Sequence, residues 1–146
     1  MLPIGRTIVP DVIGEQRLVT LSTGDTVRAA VDMMTERRIG AVPVVDDGRL
    51  VGIFTERDVV TRVVKAGRDP DGTLLAKVMT PDPETLAPND TVRDALDLMQ
   101  DGHFRHLPVI DGDRLIGIVS IRDLYQSVVD QMGADIIMLA EGLLQS

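Results

Sequence analysis

The tetrapeptides Thr55-Glu56-Arg57-Asp58 and Ser120-Ile121-Arg122-Asp123 each place a hydroxyl, a guanidinium and a carboxylate within four residues. An ionised Asp can accept hydrogen bonds from both hydroxyls of a vicinal diol, and a guanidinium fork fits a phosphate. Phosphate also sits well at a helix N-terminus, where backbone amides, the dipole and a Thr or Ser hydroxyl all favour negative charge. The same spacing has a purely local use. S/T-x-x-D ahead of an apolar helical run is close to a capping box, which satisfies backbone donors without any ligand. Asp58 and Asp123 therefore stand both as caps and as candidate ligand contacts, and Arg57 and Arg122 both as phosphate donors and as solvated helix residues.

These motifs close a longer repeat. Residues 25–58 and 90–123 align without a gap, and 16 of the 34 aligned positions are identical, so the repeat has to be the structural unit. In each copy the periods follow one order. A short apolar run (18–21, then 85–86) suits a strand, and Val27, Ala30, Val31 and Met34 follow helical spacing with Asp25 or Thr26 as the cap. Two strands then flank the turn Asp46-Asp47-Gly48, whose residues tolerate positive φ, and a second helix runs from near Thr55 to Gly67. In the second copy a helix is predicted over 91–101, a turn at Asp111-Gly112-Asp113 and a helix from Ser120. Pro43 and Pro108 fall inside apparent strands, where a carbonyl or amide freed from the ladder could serve a ligand.

The implied organisation is an N-terminal segment (1–17), a first repeat (18–67), a polar, Pro-containing linker that resists helix (68–82), a second repeat (83–130) and an apolar C-terminal helix (131–146). In the first segment Ile4, Ile8, Val9, Val12 and Ile13 suggest docking, on this chain or on a neighbour. In the last, Ile136, Ile137, Leu139, Ala140, Leu143 and Leu144 form a broad stripe that either packs back on its own core or meets another subunit.

Composition excludes several classes. The chain of 146 residues carries 15 Lys and Arg against 23 Asp and Glu, a net charge of −8, which argues against a general nucleic-acid binder. Without Trp, and with only Phe54, Phe104 and Tyr125 as aromatics, it lacks stacking platforms for single strands. The absence of Cys removes disulfides, thiolate metal sites and cysteine nucleophiles. Apolar runs fall short of the roughly 18 residues that span a bilayer, and the N-terminus has no signal-peptide core, so a cytoplasmic protein without membrane contact is expected. His103 and His106, the only His residues, have no carboxylate at a familiar metal spacing, and no metal site is expected. Arg38 and Arg105 sit at different offsets before the Pro-containing strands and are weaker candidates. No Gly-rich phosphate loop and no supported Ser-His-Asp set appears, so no catalytic residue is assigned.

The doubled pattern G-x-x-P-V-V-D…G-x-h-x-G-h-h-[ST]-x-x-D closely resembles the cystathionine β-synthase (CBS) domain pair, or Bateman module. Gly40, Pro43, Val44, Asp46, Gly52, Thr55 and Asp58 carry it in one copy, and Pro108, Val109, Asp111, Gly117, Ser120 and Asp123 in the other, with Met79-Thr80-Pro81 typical of the approach to the second. It covers about residues 18–124. The resemblance implies an α+β fold of two tandem β-α-β-β-α repeats related by pseudo-twofold symmetry, with a central cleft for adenosyl ligands. It implies ribose contacts at Asp58 and Asp123, and phosphate contacts at Thr55, Ser120, Arg57 and Arg122. An adenine pocket would draw on Thr20, Ala41, Val42 and Pro43, and on Thr85, His106, Leu107 and Pro108. Because His106 stands where the first copy has Ala41, the two clefts should differ. The expected function is a non-catalytic sensor that needs no cofactor and takes AMP, ADP or ATP as regulatory ligand. NAD(H) or S-adenosylmethionine shares the diol, and a ligand-free dimerisation module is the further alternative. A homodimer acting on a separate, unidentified effector protein is expected.

Overall fold

A computed structural model of the chain describes residues 5–145, with the side chains of Leu144 and Gln145 left aside. Ile4 lies outside the described residues. The chain divides into two units. One holds the first repeat, 17–84 together with 111–116; the other combines the N-terminal segment up to Gln16 with Thr85–Ile110 and the chain from Gly117 onward.

In the first-repeat unit, α1 (Val27–Arg37) starts at Thr26, whose hydroxyl accepts from Ala29 N–H, and ends at Arg38 in the left-handed region. Its apolar stripe, Val27, Ala30 and Met34, packs on Val42, Val44 and Phe54 of the hairpin β1 (Ala41–Asp46) and β2 (Arg49–Thr55). The turn is the predicted one, with Asp47 at φ 50° and Gly48 at φ 76°. β2 leads into the short helix α2 (Glu56–Asp58). The chain then widens over Val59–Val64, where Lys65 N–H reaches back five residues to Val60 O at 3.0 Å. Five of the six residues there are β-branched and crowd an α-helical surface, so the regular helix expected as far as Gly67 is not kept.

The strands expected at 18–21 and 85–86 are each a single parallel bridge, Leu21 to Val44 and Leu86 to Val109. Leu21 N–H donates to Pro43 O (3.1 Å) and Leu86 N–H to Pro108 O (2.9 Å). The preceding rung would need an N–H at Pro43 or Pro108, which proline lacks, so neither ladder extends toward the start of its strand. Those two carbonyls are thus already paired with a backbone donor rather than freed from the ladder.

The linker is part of the fold. Lys77 and Val78 belong to a short helix α3 (Leu75–Val78), and β3 (Thr80–Pro81) pairs antiparallel with Gly52 and Ile53, giving the sheet order β1-β2-β3. Pro81 constrains only its immediate predecessor, which leaves the turn before it free to be helical. Leu75 is fully buried in the first-repeat core. A Cβ on Gly52 would meet Met79 Sδ, and Thr80 O at 3.0 Å, so glycine there permits the close approach.

The second repeat contains α4 (Val92–Gly102) and the two-stranded sheet of β4 (His106–Asp111) and β5 (Arg114–Ser120), and it leads into α5 (Ile121–Gln145). His103 ends α4 in the left-handed region, as Arg38 ends α1. The N-terminal segment docks on this unit within its own chain. Ile8 N–H donates to Asp90 O (2.8 Å) and Val92 N–H to Arg6 O (2.9 Å), as Leu75 N–H donates to Asp25 O (2.9 Å) and Val27 N–H to Thr73 O (2.9 Å) in the other unit. Ile8 thus does for the second repeat what Leu75 does for the first, and both are 0% exposed. At the outer edge of β5, where β2 has Thr80, the Gln16 carboxamide takes the place of a strand. It accepts from Ile118 N–H at 2.8 Å and donates to Ile118 O at 3.0 Å. The helix expected from Ser120 and the apolar helix expected near Gly133 are one element, α5, and its residues from 134 to 143 are all exposed, so the stripe does not fold back on the core.

Ile8→Ala and Leu75→Ala each truncate a fully buried side chain outside the aligned repeat, and each should cost about 2–5 kcal/mol. Urea unfolding measures this; a loss below half a kilocalorie for either would mean that its segment is not part of the core.

Candidate functional site

Each candidate motif lies where a strand hands over to a helix. At the end of β2, Thr55 is extended, its hydroxyl accepts from Asp58 N–H (3.2 Å), and Asp58 Oδ2 accepts from Thr55 N–H (2.9 Å) and from the Thr55 hydroxyl (3.1 Å). This is a closed capping box, and it commits the Thr55 hydroxyl at both ends. At the end of β5, Asp123 Oδ2 accepts from Ser120 N–H (2.8 Å) and Asp123 N–H donates to Ser120 Oγ (3.1 Å), which leaves the Ser120 proton for another acceptor. In both copies the first helical amide is also taken, Glu56 N–H by Gly40 O (3.0 Å) and Ile121 N–H by Arg105 O (2.8 Å). A phosphate would therefore find fewer free amides than a bare helix end offers.

The two carboxylates differ in their second oxygen. Asp58 is buried, 8% exposed, and its Oδ1 faces Arg62 Nε at 3.5 Å. Arg62 Nη1 donates in turn to Val78 O (3.2 Å) and Met79 O (2.9 Å), tying the helix to the segment that closes the core. Asp123 is half-buried, and its Oδ1 accepts no hydrogen bond among the described residues. It lines a concavity with Arg6, Asp11, Val12, Gln126, Ser127 and Asp130. In the alignment Ser127 holds the place of Arg62, and here the guanidinium comes from the closing segment instead: Arg6 Nη1 donates to Ser127 O (2.8 Å) and to Ser127 Oγ (2.9 Å). Each unit so brings one guanidinium to its motif from the opposite partner of the same contact.

Arg6 and Arg62 had no place in the sequence reading. Arg62 is flagged in principle by its i,i+4 spacing from Asp58; Arg6 has no such signal, lying 121 residues from Ser127. Asp11 faces the same concavity. The backbone N–H of Thr7 (2.9 Å) holds its carboxyl below the ordinary value, helped by the Thr7 hydroxyl and Arg6 and opposed by desolvation. With the folded-state pKa depressed, this contribution is present above the ordinary carboxyl range and is lost as the pH falls through the lowered value.

Other expected residues fall differently. Arg57 and Arg122 are exposed. Strand alternation puts Val42 in the hydrophobic core with Val44, fully buried, and Leu107 is likewise inaccessible, so neither offers surface to an adenine ring. Ala41, Pro43 and Pro108 are buried too, His106 and Thr85 are half-buried and Thr20 is exposed. The chain carries a third copy of the pattern, Thr91-Val92-Arg93-Asp94. It forms the same closed box at the start of α4 on an exposed surface, so the tetrapeptide alone specifies a cap.

Comparison with known proteins adds the family context. The family model described as CBS domain matches residues 11–65 and 75–130. The CBS domain-containing protein YhcV of Bacillus subtilis (strain 168) is 36% identical over 116 residues, 80% of each chain. A solved CBS-domain protein of Burkholderia ambifaria MC40-6, with a proposed role in signal transduction, is 34% identical with a TM-score of 0.80, over 85% of this chain and 94% of that one. The hexameric CBS-CP12 protein from bloom-forming cyanobacteria is 30% identical with a TM-score of 0.72, over 79% of this chain and 68% of that one.

Because Asp58 is the more buried and holds Arg62 as well as the cap, Asp58→Ala should destabilise by about 1–3 kcal/mol, and Asp123→Ala by about 1 kcal/mol, the cost of a lost cap. Equal losses, or the reverse order, in urea titrations of the two variants would contradict the asymmetry described above.

Proposed function

The chain belongs to the CBS-domain family, whose paired domains are generally regulatory or signal-transduction modules, and from that premise we propose that it is a non-catalytic sensor of an adenine nucleotide. The observation that carries this reading is the uncommitted Oδ1 of Asp123 beside the Arg6 guanidinium. A carboxylate whose one oxygen is fixed by the cap and whose other is open is held ready for a ribose diol. The Nε and Nη2 of Arg6 make no bond among the described residues and are donors suited to a phosphate in an otherwise acidic chain. Asp11 and Asp130 face the same concavity, so one guanidinium stands among three carboxylates. That balance favours ligands of low charge, AMP, ADP or the diphosphate of NAD(H), over ATP, and leaves S-adenosylmethionine as a cationic competitor. At Asp58 the Arg62 contact already uses Oδ1, and the weaker binding is assigned there.

Regulation requires the ligand to prefer one arrangement of the protein over another. In this reading the output is passed to a separate effector, and the chain works as a cytoplasmic homodimer. Self-association is in keeping with the hexameric assembly of the cyanobacterial relative, and no helix among the described residues is long and apolar enough to cross a membrane. One observation favours a second reading, a ligand-free dimerisation module: all three S/T-x-R-D motifs satisfy backbone donors from within the chain.

Isothermal titration of the nucleotide-stripped protein with AMP, ATP, NAD and S-adenosylmethionine separates the two. The expected result is saturable binding, tighter for AMP than for ATP, that Asp123→Ala weakens about 10–100-fold, the worth of one charge-assisted hydrogen-bond set, and Asp58→Ala weakens less. Absence of heat with all four ligands, in protein shown to be folded, would establish the second reading instead.

A further inference from the structure

Along α5 the residues Tyr125, Val129, Met132, Ile136, Leu139 and Leu143 recur at intervals of 4, 3, 4, 3 and 4, and each is 41–78% exposed. This is a heptad seam with Val129, Ile136 and Leu143 at the a positions and Tyr125, Met132 and Leu139 at d. The helix contacts its own unit by other residues, Leu124 and Ser127, which are buried. We infer that this seam pairs with the same seam of a second copy of the chain, joining the two by a coiled coil of their C-terminal helices.

Three observations select that occupant. A period of 3.5 residues, held over nearly three heptads, is what one helix presents to another helix, and β-branched Val129 and Ile136 at a with Met132 and Leu139 at d suit a small number of strands. The charge pattern removes the competitors. Beyond Arg122 no described residue of α5 is Lys or Arg, so the helix lacks the cationic face that holds an amphipathic helix on a lipid surface. Asp135 and Glu141 are the only charges after Asp130, too few to recruit a basic partner by electrostatics, whereas an uncharged seam lets an acidic chain meet its own copy without repulsion along the contact. The area is sufficient: the six side chains expose on the order of 700 Å² per helix, close to the ~800 Å² per partner of a standard stable interface. Ile137 and Met138 lie beside the seam and widen the apolar margin that a pair would cover.

Sedimentation equilibrium at micromolar concentration tests this with two variants of the full chain. Ile136→Glu/Leu139→Glu puts charge into the seam, and Ala134→Glu puts charge on the opposite side of the same exposed turns. The expected outcome is a mass reduced about twofold by the seam variant and unchanged by Ala134→Glu, both variants keeping the wild-type circular-dichroism spectrum because every altered residue is exposed on its own chain. Three results would overturn the inference: a single-chain mass for the wild type, a wild-type mass retained by the seam variant, or an equal reduction by Ala134→Glu. The seam rests on the homodimer of the proposed function and gives it an interface; nucleotide binding does not enter this test, so the titration above still decides the sensor reading if the seam fails.

Discussion

At the head of α1 the chain makes a reciprocal backbone contact, Val27 N–H to Thr73 O and Leu75 N–H to Asp25 O, and at the head of α4 Val92 N–H to Arg6 O and Ile8 N–H to Asp90 O repeat it. These bonds hold a segment from outside each repeat against its helix, and the residue they bring in, Leu75 or Ile8, is fully buried. A repeat of about 35 residues buries too little apolar surface to fold by itself. Closing each core with a borrowed segment solves that, and it also fixes what stands beside the strand-to-helix junction where the motifs lie. The linker closes the first repeat, while the N-terminal segment closes the second.

The same contact sets the electrostatics of the motifs. In the first-repeat unit the helix supplies Arg62 and the closing segment supplies the acceptors Val78 O and Met79 O; in the second the closing segment supplies Arg6 and the helix supplies Ser127. The exchange leaves the packing alike and the carboxylates unlike, because Arg62 lies one turn after Asp58 and pairs with it, whereas the Arg6 bonds run to Ser127. One duplicated pattern thus yields a structural carboxylate and an open one.

Much of the fold was legible wherever the signal is local. Thr26 and Thr91 cap their helices, Asp47 and Gly48 turn the hairpin, and the helical spacing of Val27, Ala30 and Met34 marks a core face, since each depends on neighbours within four residues. That the ladders at Leu21 and Leu86 do not extend toward the start of β1 and β4 could have been foreseen from Pro43 and Pro108, given the strand each was to pair with. The strand role of the Gln16 carboxamide could not, because its partner, Ile118, lies 102 residues away. That Val42 and Leu107 are buried was not legible either, because a strand pattern says which residues alternate and not which face is closed.

Taken alone, the sequence determined the repeat, its order of helices and strands, the family it resembles, the carboxylate at each strand-to-helix junction and the broad apolar stripe near the C-terminus. All of these are encoded in spacing along the chain. Only the tertiary structure decided that the linker and the N-terminal segment complete the cores, that Arg62 and Arg6 stand with the motifs, and that the α5 stripe is exposed. Those outcomes depend on which distant segments fill a given volume, and short apolar segments such as 8–13 and 75–79 carry no local mark of the partner they will meet.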